Sequence, residues 1–325
     1  MTATDALRIV LLAGGVGGST FATGLRDEIA GRGGSLTVVC NTGDDLWLSG
    51  LRLQPDVDSM LYALAGVKDL AQGWGRAGDS RRVADELAAW NVGWEWFLLG
   101  DLDLGAHIAR TSWLREGLSP TDAIARLQAR WDLGATLLPM TDTEVDTHVV
   151  LDAAGTRMHF QEWWTRHRAR LEPVRFENPG IAVSVPAPGV LEAIAAADVI
   201  LVAPSNPIVS IGPILAVPGL ADAIRAASAP VVGVSPIIGD APVRGMADVC
   251  LRVAGVPCTA AGVAGHYGAR GADGVLDAWL IAAEDAEAAA SVDDLGITAH
   301  VEPLWMSDAA RTRALAVAAL RAAGI

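Results

Sequence analysis

The 325 residues carry 24 Lys and Arg against 38 Asp and Glu, a net charge of −14, and 51% of them are hydrophobic. Such a chain has ample core but no broad cationic surface for a nucleic acid or an anionic membrane, although a local arginine cluster can hold one small anion. The single lysine, Lys68, lies in Gly66-Val67-Lys68-Asp69, which fits neither a Walker loop, where Lys follows the last glycine, nor a Schiff-base pocket.

The start, 1–7, has no basic run, so the apolar stretch 8–13 is predicted as a buried strand rather than a signal peptide. A glycine turn over 14–18, a helix over 19–30 and a strand over 36–40 complete a βαβ unit. Continuous apolar runs mark strands buried on both faces of a parallel sheet, and 199–203 and 231–234 have that character. Amphipathic helices are predicted over 58–65, 80–90, 106–116 and 121–131, the last with Ser119-Pro120 as cap and first-turn proline. The β-branched stretches 144–152 and 156–160 predict a small hairpin. Val199 to Ala221 lacks charge over a length that spans a bilayer, but Pro204, Pro207, Pro213 and Pro218 break a continuous helix, so a buried strand and a loop are predicted. An Ala-rich helix over 307–323 closes the chain. The predicted fold class is α/β: a doubly wound, mostly parallel sheet built from about 1–66 and 190–325, with a smaller α/β subdomain inserted at about 67–189. Cys40, Cys250 and Cys258 are too scattered for a disulfide framework or zinc knuckle, which predicts reduced thiols in the cytoplasm.

The first candidate site is the turn Gly14-Gly15-Val16-Gly17-Gly18, where glycines let backbone amides at a helix start approach a phosphate. An NAD fingerprint is disfavoured, because Thr20 stands where Gly or Ala belongs and no ribose-binding acid follows the second strand. That strand runs into Asn41-Thr42-Gly43-Asp44-Asp45, and Pro55-Asp56-Val57-Asp58 follows at a helix start. Loops at strand carboxyl ends face the ligand crevice, so four carboxylates are expected to converge there, as hard oxygen ligands for Mg²⁺ or as helix caps. A further acidic loop, Asp101-Leu102-Asp103, precedes His107 and Arg110, which share a helical face as possible phosphate contacts. Ser205, Asn206 and Ser210 form a polar island at a strand end, repeated by Ser235 and followed by Arg244. Among 11 tryptophans, Trp163-Trp164 beside Arg166, Arg168 and Arg170 offers stacking surface to a flat ring. No nucleophile elbow or Ser-His-Asp order is present.

These segments, with Leu99-Gly100-Asp101-Leu102-Asp103, Leu138-Pro139-Met140-Thr141-Asp142, His159-Phe160-Gln161-Glu162-Trp163-Trp164, Pro204-Ser205-Asn206-Pro207 through Ile211-Gly212-Pro213-Ile214, and Ser235-Pro236-Ile237-Ile238, resemble the 2-phospho-L-lactate transferase family (CofD/FbiA) over nearly the whole chain. The resemblance implies a Rossmann-like fold and a transferase of coenzyme F-420 biosynthesis. Such an enzyme joins a guanosine-diphosphate-activated three-carbon acid to the ribityl 5′-hydroxyl of the deazaflavin FO and releases GMP. Trp94-Glu95-Trp96-Phe97 and the 159–164 segment look most like the actinobacterial branch, which implies an enolpyruvyl donor and the product dehydro-F-420-0. Also implied are FO contacts at Asp58, Asp56, Asn41 and position 98, where some relatives place Lys and this chain has Leu98. The guanosine diphosphate moiety is expected on Gly14, Gly15, Gly17, Gly18, Ser205, Asn206, Ser210, Ser235 and Arg244. Mg²⁺ is expected on Asp44 or Asp45 with Asp56 or Asp58, with Asp44, Asp45 and Asp58 as catalytic candidates, and the family's usual state is a homodimer. A nucleotide-sugar-binding regulator of the gluconeogenesis-factor type is the alternative.

Overall fold

The computed structural model describes residues 6–93 and 96–325; Trp94 and Glu95 of the branch-specific segment lie outside the described residues. Seven strands form one sheet: β1 (Arg8–Ala13), β2 (Ser35–Cys40), β3 (Thr136–Pro139), β4 (Val199–Val202), β5 (Val231–Val234), β6 (Ala278–Ile281) and β7 (Thr298–Val301). Their order across the sheet is β3-β2-β1-β4-β5-β6-β7, every neighbour parallel, with Leu11 between Val38 and Leu201. The chain thus builds outward from β1 in one direction and from β4 in the other. Ligands of such sheets bind where the winding reverses, beyond the carboxyl ends of those two strands.

Alternation along β1 sends its side chains into two different cores. Ile9 and Leu11 pack with Phe21 and Leu25 of α1 (Gly15–Ile29), with Val57 and Leu61 of α2 (Pro55–Leu64), and with Leu315 of the C-terminal helix Ala309–Ala322. Val10 and Leu12 pack on the other face with Ile211, Ile214, Leu220 and Leu251. Burial on both faces explains the unbroken apolar reading of the central strands.

Three further helices follow α2: α3 (Arg82–Ala89), α4 (Asp101–Arg115) and α5 (Pro120–Gln128), the last capped by Ser119 as the sequence predicts and burying Ile124 and Leu127 in the first core. The hairpin is present as His148–Val150 against Arg157–His159, and Arg175–Glu177 adds an unforeseen third strand. Two boundaries need correction. β3 lies inside the segment expected to be an insert, yet it pairs with β2 as the sheet's edge. Beyond β4 the uncharged stretch is helical rather than loop, with short turns at Pro207–Ile211 and Gly212–Ala216 that bury Pro207, Ile211 and Ile214. Among the described residues no single helix is long and apolar enough to cross a membrane.

Gly24 marks the closest approach of α1 to the C-terminal helix, where an added Cβ would lie 2.6 Å from the carbonyl oxygen of Thr312. Alanine is the better helix former by about 1 kcal/mol, but overpacking costs roughly 1–3 kcal/mol. Gly24→Ala is therefore expected to lower the urea midpoint, and a raised midpoint would show that the two helices do not touch there.

Candidate active site

The turn after β1 combines glycines with a helix start, the geometry that suits an anion. Gly14 is extended (φ −150°, ψ 166°), Gly15 sits at φ +64°, and α1 begins at once with no acidic residue in its first turn. The glycine turn and the helix start are therefore one feature; the Gly14 amide is spent on Ser205 and the Gly15 amide on Asp56, while the amides that follow in the first turn have no intrahelical partner. Two of the glycines are required by close approach. A Cβ on Gly17 would lie 2.5 Å from the Pro204 carbonyl oxygen, and one on Gly14 would lie 2.4 Å from Asp56 Oδ2. Ser205 closes the turn from the β4 side, its Oγ accepting from the Gly14 N–H at 3.1 Å and donating to the Gly14 carbonyl at 2.7 Å.

A cavity of about 850 Å³ opens over this turn, at the winding reversal, and Gly14, Gly15, Gly17, Asp44, Asp56, Asp58, Leu98, Ser205, Asn206, Ser210, Ser235 and Arg244 all line it. Asn41 and Gly18 lie beneath its wall. Asn41 is fully buried, and its Nδ2 donates to Asp56 Oδ2 (2.9 Å) and to the Val209 carbonyl (3.2 Å). Gly18 packs against Ser205 Oγ, which a Cβ there would meet at 2.6 Å. Asn206 spends its Oδ1 on the amides of Ile208 and Val209, and Ser235 ties its own turn by bonds to both the amide and the carbonyl of Ile237.

The four expected carboxylates do not converge as one cluster. Asp44 and Asp56 form a pair. Burial, and next the Asp56 and Asp45 charges, hold the Asp44 carboxyl well above the usual range, while burial, opposed by hydrogen bonds from Asn41 and Gly15, pushes Asp56 up to about 6. Asp44 Oδ1 is buried with no hydrogen-bond partner. Asp45 turns the other way, into a second cavity of about 280 Å³. There Gln54 Nε2 donates to it at 2.7 Å, Arg52 lies at 3.5 Å, and burial pushes it up to about 8 despite that cation. Asp44 and Asp45 thus line different cavities, although the Asp45 charge still acts on Asp44. Asp58 is held by Arg110 of α4 in a buried ion pair, with His107 Nδ1 3.5 Å from its other oxygen. Arg110 is thus a partner of Asp58 rather than a free phosphate contact.

Among the described residues no three or more His, Cys, Asp or Glu side chains are arranged to hold a metal ion. Mg²⁺ needs fewer, commonly one or two carboxylates with substrate phosphates and water. The Asp44–Asp56 pair, with its unpartnered oxygen beside the glycine turn, fits that ion. Asp45 and Asp58 each also keep one unpartnered buried oxygen, but their other oxygen is engaged, by Gln54 and by Arg110 respectively.

Several contributors escaped sequence reasoning. Lys68 is buried, its Nζ donates to Ser19 Oγ in α1 at 2.9 Å, and burial followed by repulsion from Arg244 lowers it to about 8. Its uniqueness in the chain was the only available signal. Trp74, Trp96 and Trp305 line the cavity unforeseen, and Trp164 and Arg168, read from the sequence as part of a stacking surface, line it as well. Trp163, by contrast, is fully buried against Phe160 and Phe176 and serves the core.

The chain matches the family described as 2-phospho-L-lactate transferase CofD over residues 9–322. It is 49% identical to a phosphoenolpyruvate transferase of Streptomyces griseus, covering 98% of both chains, and 48% identical to one of Thermobifida fusca, covering 97% of both. It is 43% identical to the phosphoenolpyruvate transferase of Mycobacterium avium, over 98% of this chain and 99% of that one. A solved Bacillus halodurans protein of the UPF0052 family shares the fold at a TM-score of 0.64 with 19% identity, over 98% of this chain and 100% of that one. The chain therefore belongs to the 2-phospho-L-lactate transferase CofD family.

Proposed function

We propose that the chain transfers a phosphoenolpyruvyl group from a guanosine-diphosphate-activated donor to the 5′-hydroxyl of FO, giving dehydro-F-420-0 and GMP in coenzyme F-420 biosynthesis. The relatives named phosphoenolpyruvate transferase support this donor, and their shared transferase name disfavours the regulator reading. The observation that carries the reading is the joining, in one cavity, of a glycine-rich helix start, the Asp44–Asp56 pair and the arginine-held Asp58.

The glycine turn orients the diphosphate with backbone amides. Asp58, fixed by Arg110, presents an oxygen to the attacking hydroxyl, and in-line transfer follows without a covalent enzyme intermediate. Positioning and charge neutralisation dominate such a reaction. Asp44 and Asp56 are the residues that would hold Mg²⁺, whose contribution when bound is to neutralise diphosphate charge. A homodimer, residence in the cytoplasm and FO as acceptor belong to the same proposal. Titration should show guanine nucleotide and FO binding together; binding of NAD in their place would overturn it.

The carboxylate pair makes the cation testable without catalysis. Folded carboxyls held above the unfolded value of about 3.9 favour the native state at low pH, and that stability is lost as pH rises through the folded value, about 6 for Asp56. A cation favours the ionised pair, so its stabilisation grows over the same window. Mg²⁺ is expected to raise the melting temperature clearly at about pH 8 and little at about pH 4.5. An equal shift at both values, or none, would remove Asp44 and Asp56 as its ligands.

A further inference from the structure

The face of α4 toward the cavity leaves one hydrogen-bond donor unused. Arg110 Nη1 approaches His107 Nδ1 at 3.0 Å. Arginine carries no acceptor, so Nδ1 must accept, and the proton of the neutral ring is fixed on Nε2. That Nε2 is buried and has no partner, although His107 lines the cavity. The nearest carboxylate oxygen, Asp103 Oδ1, lies at 3.8 Å, beyond hydrogen-bond reach, and already accepts from Tyr62 Oη at 2.6 Å.

One unused acceptor lies beside this donor. Arg110 occupies Asp58 Oδ1, whereas Asp58 Oδ2, 3.5 Å from His107 Nδ1, is buried and unpartnered on the same wall. Orphaned buried polar atoms are costly, and here a donor and an acceptor belong to residues that line the same cavity. A hydroxyl that donates to Asp58 and attacks phosphorus through its lone pair becomes a poorer nucleophile if it also accepts from His107. Two neighbouring hydroxyls of a polyol chain satisfy both, the first donating to Asp58 and the second accepting from His107.

We infer that His107 contacts the acceptor substrate, its Nε2–H binding a hydroxyl next to the one that faces Asp58, so that this wall selects a polyhydroxy chain. The inference rests on the proposed acceptor, whose ribityl chain has that chemistry. It makes His107 a determinant of acceptor choice, distinct from the groups that hold the donor.

The test compares FO with a deazaflavin analogue whose side chain keeps only the terminal hydroxyl, using the full-length protein. Wild type is expected to lose about tenfold to a hundredfold in kcat/KM on the analogue, the range of one orphaned buried polar group. His107→Leu should fall by a similar factor on FO and lose little more on the analogue. His107→Gln, which keeps an N–H near Nε2, should recover most of the loss on FO. Equal losses of His107→Leu on both acceptors, or a Gln variant no better than Leu, would overturn the role of His107 while leaving the transferase intact. Wild type that makes no product from FO would instead overturn the function proposed above, and this inference with it.

Discussion

Arg110→Leu is expected to cost about 3–5 kcal/mol of stability, because it leaves Asp58 as an uncompensated buried charge. Arg110 is fully buried; besides Asp58 it reaches the Arg52 carbonyl at 3.2 Å and His107 at 3.0 Å. The double variant Asp58→Asn with Arg110→Leu should recover a large part of the loss, since no charge is then stranded, while remaining inactive. Urea denaturation of the three variants measures the cycle. A loss below about 1 kcal/mol in Arg110→Leu would show the pair to be solvated like a surface salt bridge.

The second large effect concerns rate. Asp44→Asn and Asp56→Asn are each expected to lower kcat/KM by roughly 10²–10³-fold, several kcal/mol of lost charge stabilisation at the diphosphate. Stability without Mg²⁺ should hold or rise at about pH 8, because each change relieves a buried like-charge pair. Asp45→Asn is the control. Its carboxylate serves Arg52 and Gln54 in the other cavity, so it should lose less than about tenfold. A fall in Asp45→Asn as deep as in Asp44→Asn would contradict the division of the carboxylates between two cavities.

The parts legible in the sequence were those written locally. The run 8–13 followed by glycines announced a buried strand turning into a helix, and β1 and α1 follow it with α1 starting at Gly15 rather than Ser19. Ser119-Pro120 marked the cap and first turn of α5, which runs from Pro120 to Gln128 rather than over the predicted 121–131. β3, β6 and β7 were not predicted, β6 although Ala278–Ile281 is a fully buried apolar run of four residues. Thr136–Pro139 is four residues ended by proline, and Thr298–Val301 is a half-exposed edge, so neither shows the continuous apolar run of a central strand. The acidic segment 101–103 reads as a loop but forms the first turn of α4, where carboxylates suit the helix dipole and Asp79 accepts from the amides of Leu102 and Asp103.

At the site, the glycine turn and both acidic clusters were legible as residue types, yet their division was not. Asp44 and Asp45 are neighbours in sequence and serve different cavities. The partner that fixes Asp58 lies 52 positions away on another helix. Local pattern reports which residues have the chemistry, and distant contacts such as Asp58–Arg110 and Asp45–Gln54 decide which of them are engaged.

The most direct measurement incubates the purified protein with FO, Mg²⁺ and, separately, enolpyruvyl- and lactyl-diphosphoguanosine, and reads the products by mass spectrometry. The account predicts dehydro-F-420-0 and GMP in equal amounts, with the enolpyruvyl donor preferred. No deazaflavin phosphodiester from either donor, in protein that still binds guanine nucleotide, would contradict it.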